Sequence, residues 1–486
     1  MEKRTSKRTA AQACAVAVAL SATLALSACE SGQTTASSSA SENETANQSS
    51  SQSAQTASSA PQASDIITDT TYESTVDGEH AITADGETAS YQNACVVKTG
   101  DSTSESADFY GDNAAIFATN GATLGLSDLI VDTSGSHANA VFSYGSGTTV
   151  NVSDSVITTN GNNSGGLMTT GGGTTNATNL SISTSGNSSA AIRSDRGGGT
   201  VNVVGGDYAT SGTGSPVIYS TADITATSAV LDSTASQGVV VEGKNSVTLN
   251  DCVLTASNVT KNSDKSDYYQ AVMIYQSASG DAANGTSAFT MNGGSLINQN
   301  GDVFFVNNTT TTIDLAGAHI QNNGDGVFLR AAAAGWGTSG SNGGQVTLNA
   351  SGQVIDGDMV VDDVSSLNLY LTDGSTFTGT VNADGQAGDV YVELAGGSTW
   401  TLTDDAYISG LTCDAGSINL NGHTLYVDGT PYTADSASVG SPIDQTVQTS
   451  SGGAPDGTAF GGDSGDMPNG SGFGGDMPGG GAPSGR

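Results

Sequence analysis

The feature that most constrains the fold of this 486-residue chain is an internal repeat. "NAAIFATNGATLGLSDLIVDTSGS" is followed by "NAVFSYGSGTTVNVSDSVITTNGN", "GGLMTTGGGTTNATNLSISTSGN" and "AAIRSDRGGGTVNVVGGDYATSGT". Copies begin at Ala114, Asn139, Gly165, Ala190, Pro216, Gly238, Ala271, Asp302, Gly326 and Asp358, a base step near 25 residues that lengthens three times beyond 30. Each copy carries β-branched, alternating runs such as "TVNVS" and "SVITT", punctuated by Gly, Asn, Asp and Ser. That is strand chemistry separated by turn chemistry. Three short strands per step, with no sustained 3.6-residue apolar period, predict an all-β, single-stranded parallel β-helix of about ten or more coils. A β-sandwich or propeller is the rival, but propeller repeats run to roughly 40 residues with four strands. Coils stacked at ~4.8 Å make ten of them a rod of about 45–50 Å.

On these coils the chain resembles the pectin-lyase-like and adhesin-like right-handed β-helix proteins of bacterial surfaces, over roughly residues 65–430. That superfamily holds polysaccharide lyases and glycoside hydrolases, and also tailspikes and non-enzymatic adhesins. The resemblance therefore implies a fold and leaves the activity open.

Aligning the copies sorts residues into columns. The third column, from Ile116, Val141, Leu167, Ile192 and Ile218 to Val240 and Met273, is uniformly large and apolar and should point inward. Alternation along a strand then turns the fourth column outward: Phe117, Phe142, Met168, Arg193, Tyr219, Val241, Ile274, Phe305, Leu329 and Val361. Tyr144 and Asp195 share that outward face in the sixth column. The expectation is an exposed apolar-aromatic stripe interrupted by charge, which on a monomer marks a binding surface. Glu242 and Arg330 in the fifth column argue mildly for the opposite parity, and a covering chain segment would make the stripe structural.

Within "AAIRSDRGGGTV", Arg193, Asp195 and Arg196 stand almost side by side in a chain with 12 Lys plus Arg. The column alignment brings Glu242 and Lys244 near them, with small Ala222 between Arg196 and Lys244. Three readings follow: an ion ladder, a contact for an anionic glycan, or a catalytic centre. β-helix lyases, as the resemblance implies, use an Arg or Lys base and carboxylates that hold Ca²⁺ beside a uronate. No lyase motif matches here residue by residue, and Asp195 with Glu242 is a thin calcium ligand set. His80, His137, His319 and His423 are scattered, with no HExxH, GxSxG or paired Cys/His pattern. No catalytic residue, metal ligand or cofactor is assigned from the sequence. Tyr268, Tyr269 and Trp336 fall where the step lengthens, on loops leaving the rod, as sugar-stacking aromatics or as aromatics packing back onto the scaffold.

The two ends have their own signatures. Lys3, Arg4, Lys7 and Arg8 precede the apolar run "AAQACAVAVALSATLAL", which closes on "LSAC". This resembles the signal peptide and lipobox of bacterial lipoproteins, with Cys29 as the lipidated residue; the plain alternative is a secretory signal cut near Ala28. The division expected is 1–28 signal peptide, 29–64 Ser/Thr-rich disordered tether, 65–440 β-helix and 441–486 Gly/Pro/Asp-rich disordered tail. Four of the 12 cations and one of the 48 acidic residues lie in residues 1–28, so the remainder carries a formal charge of −39. Such a chain repels nucleic acid and anionic lipid. Its membrane contact would be through the lipid alone, on the extracellular face of the bacterial cell membrane. Cys95, Cys252 and Cys413 are an odd set without zinc spacing and read as isolated buried thiols.

The sequence thus favours a non-catalytic adhesin or carbohydrate-binding surface protein over a lyase or hydrolase acting on an acidic glycan. Candidate ligand contacts are Arg193, Asp195, Arg196, Tyr219, Glu242, Lys244, Phe117, Phe142, Tyr144 and Trp336.

Overall fold

The computed structural model describes residues 60–447 except 262–264, 278, 386 and 387. The signal peptide, Cys29, most of the tether and residues 448–486 lie outside the described residues. Among the described residues the only helical elements are Glu105–Phe109 and the short 3-10 turn Ala63–Asp65. No helix there is long and apolar enough to cross a membrane.

The chain forms a parallel β-helix. In one coil Leu167–Thr170 belongs to an 11-stranded sheet, while Gly173–Thr178 and Ser181–Thr184 belong to a 21-stranded sheet that bends at the corner between them. The next coil repeats the path through Ile192–Ser194, Gly199–Val204 and Asp207–Thr210, pairing Ile192 with Leu167, Asn202 with Asn176 and Tyr208 with Ile182. Two devices set the turns. The corner within the long sheet needs a left-handed backbone, supplied in successive coils by Asp128, Asp154, Asn179 and Gly205, residue types that tolerate positive φ. At a second corner Gly135, Gly161, Gly186 and Gly212 stack so closely that a Cβ on Gly161 would overlap the carbonyl oxygen of Gly135. Beside them Ser164, Ser189 and Ser215 form a hydroxyl ladder, each accepting a backbone N–H from the coil before, at 2.9–3.0 Å.

The core is a stack of inward apolar columns, Ile116, Val141, Leu167, Ile192 and Ile218 among them. Here the column reading is correct as far as Tyr219, slips by one residue at Val240 and Met273, holds again at Phe304 and Phe305, and slips once more at Leu329 and Val361. Tyr219 pairs with Val240, which pairs with Met273, so these three face outward together. Val241 and Ile274 point into the core instead. The cause is local: "VVV" at 239–241 has no alternation, so nothing in the side chains marks which Val is inside. The same slip resolves the contrary signal, because Glu242 and Arg330 both belong to the outward face.

That outward face is covered, which corrects the expectation of an exposed stripe. Phe142, Met168, Val240, Met273 and Phe305 are fully buried. The segment holding Glu105–Phe109 lies over one end, where Thr170 Oγ1 donates to the Phe109 carbonyl at 2.7 Å. The long steps supply the rest: Tyr268 packs on Phe305 and Trp336 on Tyr275. Trp336 is therefore an aromatic turned back onto its own scaffold, 4% exposed.

At the C-terminal side the fold runs past residue 440. Ser438 bridges Cys413 antiparallel. The chain then crosses outside the long sheet against the direction of stacking. Ile443 exchanges two hydrogen bonds with the Asn368 amide at 2.8 and 2.9 Å. Gln445 donates to the Val346 carbonyl and accepts from Thr347, and Thr310 donates to the Thr446 carbonyl at 3.1 Å. Cys252 and Cys413 are buried free thiols. Cys95 is buried but disulfide-bonded, which corrects its reading as an isolated thiol.

Candidate functional site

The structure does gather most of the charged candidates on the outward face of the 11-stranded sheet, but beneath the covering segments. Arg193 and Asp195 form an ion pair at 2.8 Å, each 2% exposed. Asp195 also accepts the Arg196 backbone N–H at 3.0 Å. Arg196 turns the other way: its Nε donates to Asp281, and its guanidinium lies 3.7 Å from the centre of the Phe109 ring. It thereby ties the segment after Tyr275 to the segment after Lys98, both over the same sheet.

Glu242, 1% exposed, is the centre of a second set. The Tyr219 and Tyr275 hydroxyls donate to its Oε2 and the Ser277 hydroxyl to its Oε1. The two sets meet through Arg193, whose guanidinium stands 5.9 Å from the Tyr219 ring centre. Burial pushes the Glu242 carboxyl up to about 7, against the lowering effect of the hydroxyl donors. Burial likewise pushes Asp195 up to about 6, with Arg193 pulling it down. Asp302 is held at about 6 by burial, although Arg330 grips it bidentately at 2.7 and 3.1 Å. Tyr268 covers that pair, 4.3 Å from the Arg330 guanidinium.

Chemically, a neutral carboxyl near pH 7 beside tyrosine hydroxyls resembles acid–base machinery. Its environment is closed among the described residues: each of these groups has a protein partner, and Arg193, Asp195 and Glu242 are at most 2% exposed. The remaining candidates lie around this centre. Lys244 is exposed and its backbone N–H donates to Ala283 at 2.9 Å. Phe117 and Tyr144 are half-buried, packed against the Ala114, Phe142 and Met168 cluster. Tyr219 is buried.

Sequence reasoning missed Tyr275, Ser277 and Asp281, which complete the network. Their signal was the lengthened step after Ala271, which announces an excursion without saying what it covers. It also missed a carboxylate–histidine group, Asp404, Asp405 and His423, because its members lie on different coils.

The fold defines the class, a parallel β-helix protein with a sealed ionic network. No protein-family model, curated protein or solved structure matches the chain.

Proposed function

We propose that this is a lipid-anchored extracellular β-helix protein, of the pectin-lyase-like or adhesin-like kind, that binds glycans or cell-surface ligands without catalysing a reaction. The observation that carries this reading is the burial of Arg193, Asp195 and Glu242: an enzyme acting on an acidic polymer needs such a cluster open to its substrate, and this one is closed. The lipobox-like "LSAC" supports anchoring, and the acidic surface disfavours nucleic acid as a partner.

Binding is better served by the outer face of the long sheet. There Asn202 donates to Asn176 and Asn176 to Asn151, both at 2.9 Å, a ladder of amides with fixed orientation. Next to it an open depression of about 360 Å³ is lined by Gln92, Ser127, Asn151 and Asn176 around Gly125, and by no charged residue. Hydroxyl and amide groups without charge suit the hydroxyls of a neutral sugar. Gly125 is the rung without a side chain, and a Cβ there would meet only ordinary contacts, 3.6 Å from Ser90 Cβ.

A glycan array tests the reading, with the full chain assayed with and without calcium beside Gly125→Thr. Calcium-independent binding to neutral glycans is expected, weakened at least about tenfold in the filled variant while the fold is unchanged. An absorbance rise from unsaturated product on any uronate polymer would overturn the non-catalytic reading.

A further inference from the structure

The turns that open two neighbouring coils near the C-terminal end bring together two carboxylates and an imidazole. Asp404 and Asp405 precede the strand Ala406–Ile408, and His423 precedes Leu425–Val427. Those strands pair in parallel, Ala406 with Leu425 and Ile408 with Val427, so coil stacking fixes how the turns face one another. One ligand atom from each side chain lies within 4.8 Å of the other two. Asp405 and His423 are half-buried and Asp404 is exposed. We propose that Asp404, Asp405 and His423 bind a divalent cation of the zinc class, clipping one coil to the next.

Three physical points favour a cation over a plain surface ion pair. The gap between His423 Nδ1 and Asp404 Oδ1 is 3.8 Å, too long for a hydrogen bond. It is within a few tenths of an ångström of two ligands flanking one ion, since metal–nitrogen and metal–oxygen bonds of ~2.0–2.2 Å place neighbouring ligand atoms of a tetrahedron ~3.3–3.6 Å apart. The carboxylates are also oriented by backbone: the Asp405 N–H donates to Asp404 Oδ1 at 2.8 Å and the Thr424 N–H to Asp405 Oδ1 at 2.7 Å. Thr380 Oγ1 fixes the turn itself by donating to the Asp405 carbonyl at 2.7 Å. Such contacts hold the direction of each carboxylate, and an oxygen that accepts one N–H keeps a lone pair for an ion.

The donor set selects the class of ion. Calcium and magnesium take oxygen ligands, six or more for calcium, whereas one imidazole with two carboxylates suits zinc, cobalt or a similar ion, with water completing a tetrahedron. The formal charge of −36 raises the concentration of any divalent cation near the surface, so selectivity is what separates a site from that background.

Cobalt and zinc titrations of the full chain in millimolar calcium chloride test this. Expected are one cobalt ion per chain with visible tetrahedral absorption, displaced by stoichiometric zinc. Affinity should fall by about tenfold or more in His423→Ala. Asp404→Asn, an isosteric change at an exposed side chain, should weaken it too and guards against misfolding of the first variant. Undiminished affinity in both variants, or displacement of zinc by equimolar calcium, would overturn the proposal.

Discussion

At the scale of single residues, Glu242 shows what sealing a carboxyl under a loop does to stability. Its folded value of about 7 lies above the ordinary carboxyl range, as do the values of about 6 for Asp195 and Asp302, in each case chiefly through burial. The native state therefore keeps protons that the unfolded chain has released. The stabilisation is fully present below about pH 4 and is lost as pH rises through 6 and 7. The melting temperature should fall between pH 5 and pH 8, and Glu242→Gln should flatten that fall. For Glu242 alone the change is worth up to about 3 kcal/mol, because each tenfold difference in proton affinity between the folded and unfolded chain is about 1.4 kcal/mol. Melting curves at both pH values decide it, and equal slopes in the two proteins would contradict the assignment.

Among the elements, the coils were legible and the segments that cover them were not. The ~25-residue step is visible because every coil must return to the same corner, and corners demand Gly, Asn, Asp or Ser at fixed offsets. Parity was readable through Arg193 and Tyr219, where large and polar residues alternate, and was lost at Val239–Val241, where they do not. What covers a sheet is set by contacts between distant residues: Asp281 reaches Arg196 across 85 positions, and no local pattern encodes that meeting. The charged candidates were found because cations are scarce; their burial depended on the excursions. Arg196→Ala should leave the coils intact and loosen the segment over them. The Arg196 side chain is 35% exposed, so the expected loss is only about 1 kcal/mol. Limited proteolysis should then cut within 276–285 several-fold faster than in the unaltered protein, and unchanged cutting would show that Ser277 and Glu242 hold the segment alone.

For the molecule as a whole, a solenoid is normally a one-dimensional object in which each coil contacts only its neighbours. Residues 438–447 break that rule by reaching from Cys413 to Thr310 over the outside of the long sheet. Ending the chain at residue 437 should leave the coils before Thr310 as they are and lower the melting temperature of those after it. One calorimetric transition should separate into two, with the C-terminal part melting first; a single unshifted transition would mean that the crossing segment adds nothing. The same crossing has a mechanical consequence. Coils peeled from the end of a plain stack detach one at a time, each exposing the next. Here the end coil cannot lift away until the bonds at Asn368, Gln445 and Thr310 have slid apart together. A chain tethered before its first coil and gripped along its side would thus meet tension in shear, and would hold longest at the end opposite the tether.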